Sequence, residues 1–182
     1  MNANEVFKLY VDYLVVSTGA TTATGLSMLT DKIISHDKIT RSLSEPEYTS
    51  KDLWLRNKKM IRKIESEDGV LIFDDSIIEK EYTDENELIC WHYDHSKNRS
   101  VKGINILSAL YYNKEISLPV SFFLVHKEEK YIDPKTGKEK RRSSMTKNEM
   151  LRWMLNEAKQ NHLKYKYVLA DTWYSFTDNI LN

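Results

Sequence analysis

A single cysteine, Cys90, excludes a disulfide within the chain and makes a reducing cytoplasm the expected compartment. Only three prolines and five glycines occur in 182 residues, which argues against a fibrous or low-complexity chain. No run of about 18 apolar residues occurs, and the first residues lack a basic stretch leading into an apolar one. A soluble protein without membrane contact is therefore expected. The 27 basic residues are balanced by 27 acidic ones, so no overall basicity announces a nucleic-acid partner. Any phosphate contacts would have to come from local patches. What the chain does have is bulk: it is 41% hydrophobic, with 11 tyrosines and four tryptophans. That is enough for one sizeable core and a small second unit.

Two stretches dominate. Gly69–Ser76 reads Gly-Val-Leu-Ile-Phe-Asp-Asp-Ser, and Tyr165–Ser175 reads Tyr-Lys-Tyr-Val-Leu-Ala-Asp-Thr-Trp-Tyr-Ser. Each is a short run of β-branched, aliphatic and aromatic residues that ends in aspartate, the pattern of a buried strand with a carboxylate at its C-terminal end. The first strand is expected over Val70–Asp74, and strand-like runs follow at Gly103–Tyr112 and Ile116–Val125. Asn113-Lys-Glu115 is short enough to join those two as a hairpin, and Pro119 moves the second of them towards a sheet edge. Thr146-Lys-Asn-Glu149 has the form of a capping box. It opens a helix to about His162, with Met150, Leu151, Met154, Leu155 and Ala158 as its inward stripe. A right-handed crossover through that helix would lay the Tyr165–Ala170 strand parallel to the first and bring Asp74 and Asp171 to one edge. Paired carboxylates on rigid strand ends can hold a divalent cation. Asp75 would face the other side of its strand, as a supporting or solvent-facing group.

The N-terminal part reads as helices over Asn4–Val16, Gly25–Ile34 and His36–Leu43, the third capped by Ser35. The outline is that of a helix-turn-helix, with Lys38 and Arg41 on its last helix, and equally of a small packed bundle. After a Pro-containing linker, Glu45–Ser50, a helix over Lys51–Ile64 should bury Leu53, Met60 and Ile64 and present Arg56, Lys59 and Lys63 on another face. That face is a phosphate-contacting surface or an ordinary solvated one. A boundary after residue 64 would divide a helical DNA-binding region, 1–64, from a catalytic part, 65–182. The segment Ile77–Lys102 is expected to be irregular. His126–Ser144 is expected to be a surface excursion with a basic patch that includes Arg141 and Arg142.

Three blocks together carry a family resemblance: Leu71-Ile-Phe-Asp-Asp-Ser76, the stretch Cys90–Leu107 that begins Cys-Trp-His-Tyr-Asp-His-Ser-Lys, and Val168-Leu-Ala-Asp-Thr-Trp-Tyr-Ser175. From about Gly69 onward the chain resembles the bacterial insertion-sequence transposases of the DDE type. The resemblance implies an α/β fold: a helical N-terminal region followed by a ribonuclease-H-like mixed sheet with flanking helices. It implies DNA transposition by metal-dependent phosphoryl transfer, with Mg²⁺ or Mn²⁺ held by Asp74 and Asp171 as the first two acids. It also implies double-stranded transposon ends as partner, with a homodimer or pairing with a full-length enzyme, and a cytoplasmic, nucleoid-associated location. The family's third acid is a later glutamate, and only Asp178 follows Asp171, so a truncated and catalytically incomplete core is expected. Lys97, Arg99 and Lys102 would contact DNA beside the acids. Trp173 and Tyr174 would stack on a displaced base or serve the core. A rival set, Cys90, His92, Asp94 and His95, offers zinc-type ligands without standard spacing.

Overall fold

The structure is a computed structural model that describes residues 1–19, 21–44 and 48–174. The expected linker residues Glu45–Glu47, and everything after Tyr174 including Asp178, lie outside the described residues. The chain forms two compact units, Met1–Tyr48 and Thr49–Asn182.

The first unit holds three helices. Helix α1, Ala3–Val16, opens with a capping box: the Glu5 N–H donates to Asn2 Oδ1 and the Asn2 N–H donates to Glu5 Oε2. Helix α2, Ala23–Leu29, is capped by Thr22 and stops five residues before the expected end at Ile34. The cause is local: Asp31 and Lys32 take left-handed backbone angles, with φ of 51° and 62°. Leu29 and Ile33 are therefore exposed, and Ile34 is buried in the core of this unit. Helix α3, His36–Ser44, has the Ser35 hydroxyl accepting from the Lys38 N–H. Val6, Leu26, Ile34 and Ile39 form the core of this unit.

The second unit begins with helix α4, Ser50–Ile64, capped by Thr49. Its inward face carries Ser50, Trp54 and Ile61, with Asn57 donating to the Pro119 carbonyl at 2.8 Å. This corrects the expected stripe: Met60 is exposed, and Leu53 and Ile64 are only half-buried. The bulky Trp54 ring takes the inward position one residue along, with the Arg62 guanidinium 5.4 Å from its centre. Helix α4 packs on the sheet and belongs to the second compact unit, which begins at Thr49.

Strand β1, Val70–Glu79, is twice its expected length, so Asp74 stands in mid-strand. Its partner explains this. Strand β3, Arg99–Asn113, is 15 residues long and pairs antiparallel with all of β1, from Val70↔Tyr112 to Glu79↔Gly103. The segment expected to be irregular contains the end of β1, strand β2 (Cys90–Asp94) and the start of β3. Gly103 pairs with Glu79 on one side and Cys90 on the other, so β2 lies on the side of β3 away from β1. A Cβ at Gly103 would come within 2.3 Å of the Ile78 carbonyl oxygen, which is why this close approach needs glycine. Among the described residues strand β4, Ile116–Leu124, pairs only with β3 and so is an edge, in keeping with Pro119.

The β3–β4 hairpin turns through Lys114 and Glu115, both left-handed with φ of 50° and 64°. Asn113↔Ile116 is the last pair, so this is a two-residue turn of the kind that favours Asn-Gly. Replacing Lys114-Glu115 by Asn-Gly should raise stability by about 1 kcal/mol. A urea titration would read this as a higher midpoint with an unchanged slope. An unmoved midpoint would disprove it.

The surface excursion contains a two-stranded hairpin, β5 (Glu129–Ile132) with β6 (Glu139–Arg142). Helix α5, Lys147–Gln160, has the expected capping box, with Thr146 and Glu149 bonded to each other, and buries Met150, Leu151, Met154 and Ala158. Strand β7, Tyr167–Ala170, then returns parallel to β1 over Val70–Phe73. Helices α4 and α5 cover the sheet face that carries Leu71, Phe73, Leu107, Ala109 and Tyr111. The result is a mixed α/β unit whose strand order and directions are those of a ribonuclease-H-like core. Among the described residues no helix is long and apolar enough to cross a membrane.

Candidate active site

Strand β7 pairs with β1 only as far as Phe73↔Ala170. The next residue on each strand is an aspartate, so the parallel register sets Asp74 beside Asp171 where the pairing ends. Both are exposed. Among the described residues no ion pair or hydrogen bond occupies the Asp74 side chain. The Asp171 carboxylate organises the turn that follows it, accepting from the Thr172 hydroxyl at 2.9 Å and the Trp173 N–H at 3.4 Å. The chain closes into a 3₁₀ turn, Thr172–Tyr174, with the Tyr174 N–H donating to the Asp171 carbonyl.

That turn drives Tyr174 inward, to 3% exposure, while Trp173 stays outside. The Tyr174 hydroxyl donates to Asp75 Oδ1 at 3.1 Å. Asp75 lies on the face of β1 opposite Asp74, half-buried, and is bonded to protein groups. Lys147 of α5 pairs with its Oδ2, and Asn105 of β3 donates to the same oxygen at 3.2 Å. Burial alone would raise the Asp75 carboxyl, but the Lys147 hydrogen bond and charge, with Asn105 and Tyr174, hold it below the ordinary range. Tyr174 is pushed up by its burial and by the charges of Asp75, Asp74 and Asp171. One phenol thus senses all three carboxylates. Asn105 is fully buried, and its Oδ1 has no partner among the described residues.

The rival zinc set does not converge. Cys90 and His92 are buried with Sγ and Nε2 3.3 Å apart, Asp94 caps the following turn through the Ser96 and Lys97 N–H groups, and His95 points to solvent beside Tyr93 and Trp173. Burial pushes the Cys90 thiol up and takes the His92 imidazole down to about 4, helped by Lys127 and Lys147, so both are neutral. Among the described residues no group of three or more His, Cys, Asp or Glu could hold a metal ion.

The basic candidates are scattered. Lys38 and Arg41 are exposed on α3, and Arg56, Lys59 and Lys63 on the outward face of α4. Lys97 and Arg99 do come together, but on Glu79, which both of them pair with. Lys102 is half-buried on β3 opposite Trp91. Arg141 meets Glu85 at 3.6 Å and Arg142 meets Glu129 at 2.6 Å. The sequence reading missed the Asp75 network. One signal for it exists: Asn105 is the polar interruption in an inward row otherwise made of Val101, Gly103, Leu107 and Ala109. Lys147 offers none.

A ribonuclease-H-like sheet whose two parallel strands stop pairing at an aspartate on each side defines a class, the metal-dependent enzymes that act on nucleic-acid phosphodiesters. A family model described as DDE superfamily endonuclease matches residues 2–181, and the chain belongs to that family. No curated protein and no solved structure matches. Endonucleases of this superfamily act on DNA and generally use divalent metal ions. Asp74 and Asp171 fit such an ion in kind: they are hard oxygen donors, and Mg²⁺ commonly takes one or two carboxylates and completes its shell with water and substrate phosphate.

Proposed function

We propose that this chain is a transposase of the insertion-sequence type, of bacterial origin, whose Asp74 and Asp171 hold Mg²⁺ or Mn²⁺ against a DNA phosphodiester. The observation that carries this reading is the parallel register that runs out on both strands at an aspartate, in a chain of the DDE endonuclease family. A bound divalent ion would supply Lewis-acid stabilisation of the charge that develops at phosphorus and its leaving oxygen. The protein's own part is positional. The Asp171 turn fixes one carboxylate and the long β1–β3 pairing fixes the other. Lys38 and Arg41, with Arg56, Lys59 and Lys63, are the assigned contacts to double-stranded transposon ends. They are exposed cations, and the assignment of Lys97, Arg99, Arg141 and Arg142 requires their acidic partners to be exchanged for phosphate. A homodimer, or pairing with a full-length enzyme at the nucleoid, would complete the assembly.

A second reading is favoured by one observation: no third carboxylate joins the pair among the described residues. It makes the chain a non-catalytic DNA-binding form that occupies transposon ends. Titration with Mn²⁺, followed by its electron paramagnetic resonance signal, tests the site directly. Asp74→Asn and Asp171→Asn should each weaken binding at least about tenfold, a change of roughly 1.4 kcal/mol. Unchanged binding in both would overturn the proposed site. Plasmid nicking that Asp74→Asn abolishes supports the enzyme. Salt-sensitive DNA binding without nicking, surviving both substitutions, supports the second reading.

A further inference from the structure

The sheet face that carries Asp74 also carries a row of rings. Tyr93 and Trp91 alternate outward along β2, and Tyr93 and Trp173 are 49% and 55% exposed. His95, in the turn after β2, lies between them, its ring centre 4.9 Å from Tyr93 and 5.3 Å from Trp173. Three rings from two separate segments meet in water where each could have been polar. The row is also held in place. The Tyr93 hydroxyl donates to Asn98 Oδ1, and the Trp173 N–H donates to the Asp171 carboxylate. The indole is thus tied to one of the two candidate metal-binding acids by a bond of its own backbone.

Rings in an open row, tilted or edge-on to one another, do not form the closed box that takes an alkylammonium group. They leave aromatic faces and edges free to meet a planar partner. We propose that Tyr93, His95 and Trp173 form a nucleobase-stacking subsite for a DNA strand whose phosphate lies at Asp74 and Asp171. The subsite rests on the DNA reading above and adds its substrate form: a base unpaired beside the reacting phosphate, held through its face and without regard to sequence. Trp173 is the central element because it follows Asp171 in the same turn.

The test uses the full chain and a short single-stranded oligonucleotide with 2-aminopurine at one position, in the presence of Ca²⁺. Stacking quenches this base's fluorescence. The wild-type protein should quench it, and Trp173→Ala should remove the quenching and weaken single-strand affinity about fivefold to a hundredfold. Trp173→Phe, which keeps a ring, should restore both, an outcome that a purely structural role would not produce. If Trp173→Ala proves unfolded by circular dichroism, His95→Ala takes its place, with lost quenching again expected. Quenching and affinity unchanged in a folded Trp173→Ala would overturn the subsite while leaving the DNA reading intact. Absence of DNA binding by the wild type would overturn both. A mass that falls from dimer to monomer in Trp173→Ala, with quenching retained, would make the row a protein interface and overturn the proposal.

Discussion

Asp75→Ala should lower the stability of the second unit by about 2–4 kcal/mol, while the neighbouring Asp74→Ala should change it by less than about 0.5 kcal/mol. The contrast follows from strand alternation. Asp74 faces solvent with nothing bound to it among the described residues. Asp75 faces the covered side and accepts from Lys147, Asn105 and Tyr174. Removing its carboxylate leaves a half-buried ammonium without this counter-charge, a fully buried amide with neither its Oδ1 nor this donor matched among the described residues, and a buried phenol deprived of its bond to Asp75. Unsatisfied groups cost about 1–3 kcal/mol each, and breaking one partner of a buried ion pair costs more, although Lys147 keeps some water. The melting temperature should fall by roughly 5–15 °C. Equal midpoints for the two alanine variants in urea would refute this. The same network links β1, β3, α5 and the turn after Asp171, so Asp75→Ala should also loosen the setting of Asp171 against β1.

Acidification should destabilise the protein well before its carboxylates titrate, and His92 is the cause. In the unfolded chain its imidazole protonates near the ordinary value of 6.5, but in the fold only at about 4. The ring is 6% exposed, lies against the Cys90 thiol, and has Lys127 and Lys147 nearby, with Asp75 only partly opposing them. Between those two values the unfolded state holds more protons, so stability rises with pH through that window. The contribution is complete above about pH 6.5 and is lost progressively as pH falls towards 4, to roughly 3 kcal/mol at the lower end. The carboxyls of Asp75 and Asp133, held below their ordinary range, add their own loss only at lower pH. His92→Gln, which cannot protonate, should flatten the midpoint between about pH 7 and 5. An identical pH profile in wild type and His92→Gln would exclude His92 as the source.

Much of this was legible residue by residue. The capping box at Thr146 and Glu149, the inward stripe of α5, the β3–β4 hairpin and the apolar runs that pair in parallel just before Asp74 and Asp171 are local patterns, and the structure reproduces them. Pattern failed where a neighbour made the decision. The inward face of α4 is centred on Trp54 and Ile61 because the sheet accepts the larger ring. Helix α2 ends early because Asp31 and Lys32 turn left-handed, which hydrophobic spacing does not register. Strand β1 runs on past its acids because β3 is long enough to pair with all of it, and the polar stretch after it hid β2.

The candidate site divides in the same way. The sequence by itself located the two candidate acids, their place at the ends of apolar runs, and the crossover helix that makes the two strands parallel, because periodicity and chain handedness are properties of single elements and short connections. Only the tertiary structure decided that nothing among the described residues binds the Asp74 side chain while Asp75 is tied to Lys147. It also decided that Lys97 and Arg99 share Glu79, and that Trp173 meets His95 while Tyr174 turns inward. Each of these depends on which side chain from a distant segment arrives opposite. No residue carries that in its own neighbourhood, because hydrogen bonds and ion pairs are set by distances of a few ångströms across elements that the chain brings together only when it folds.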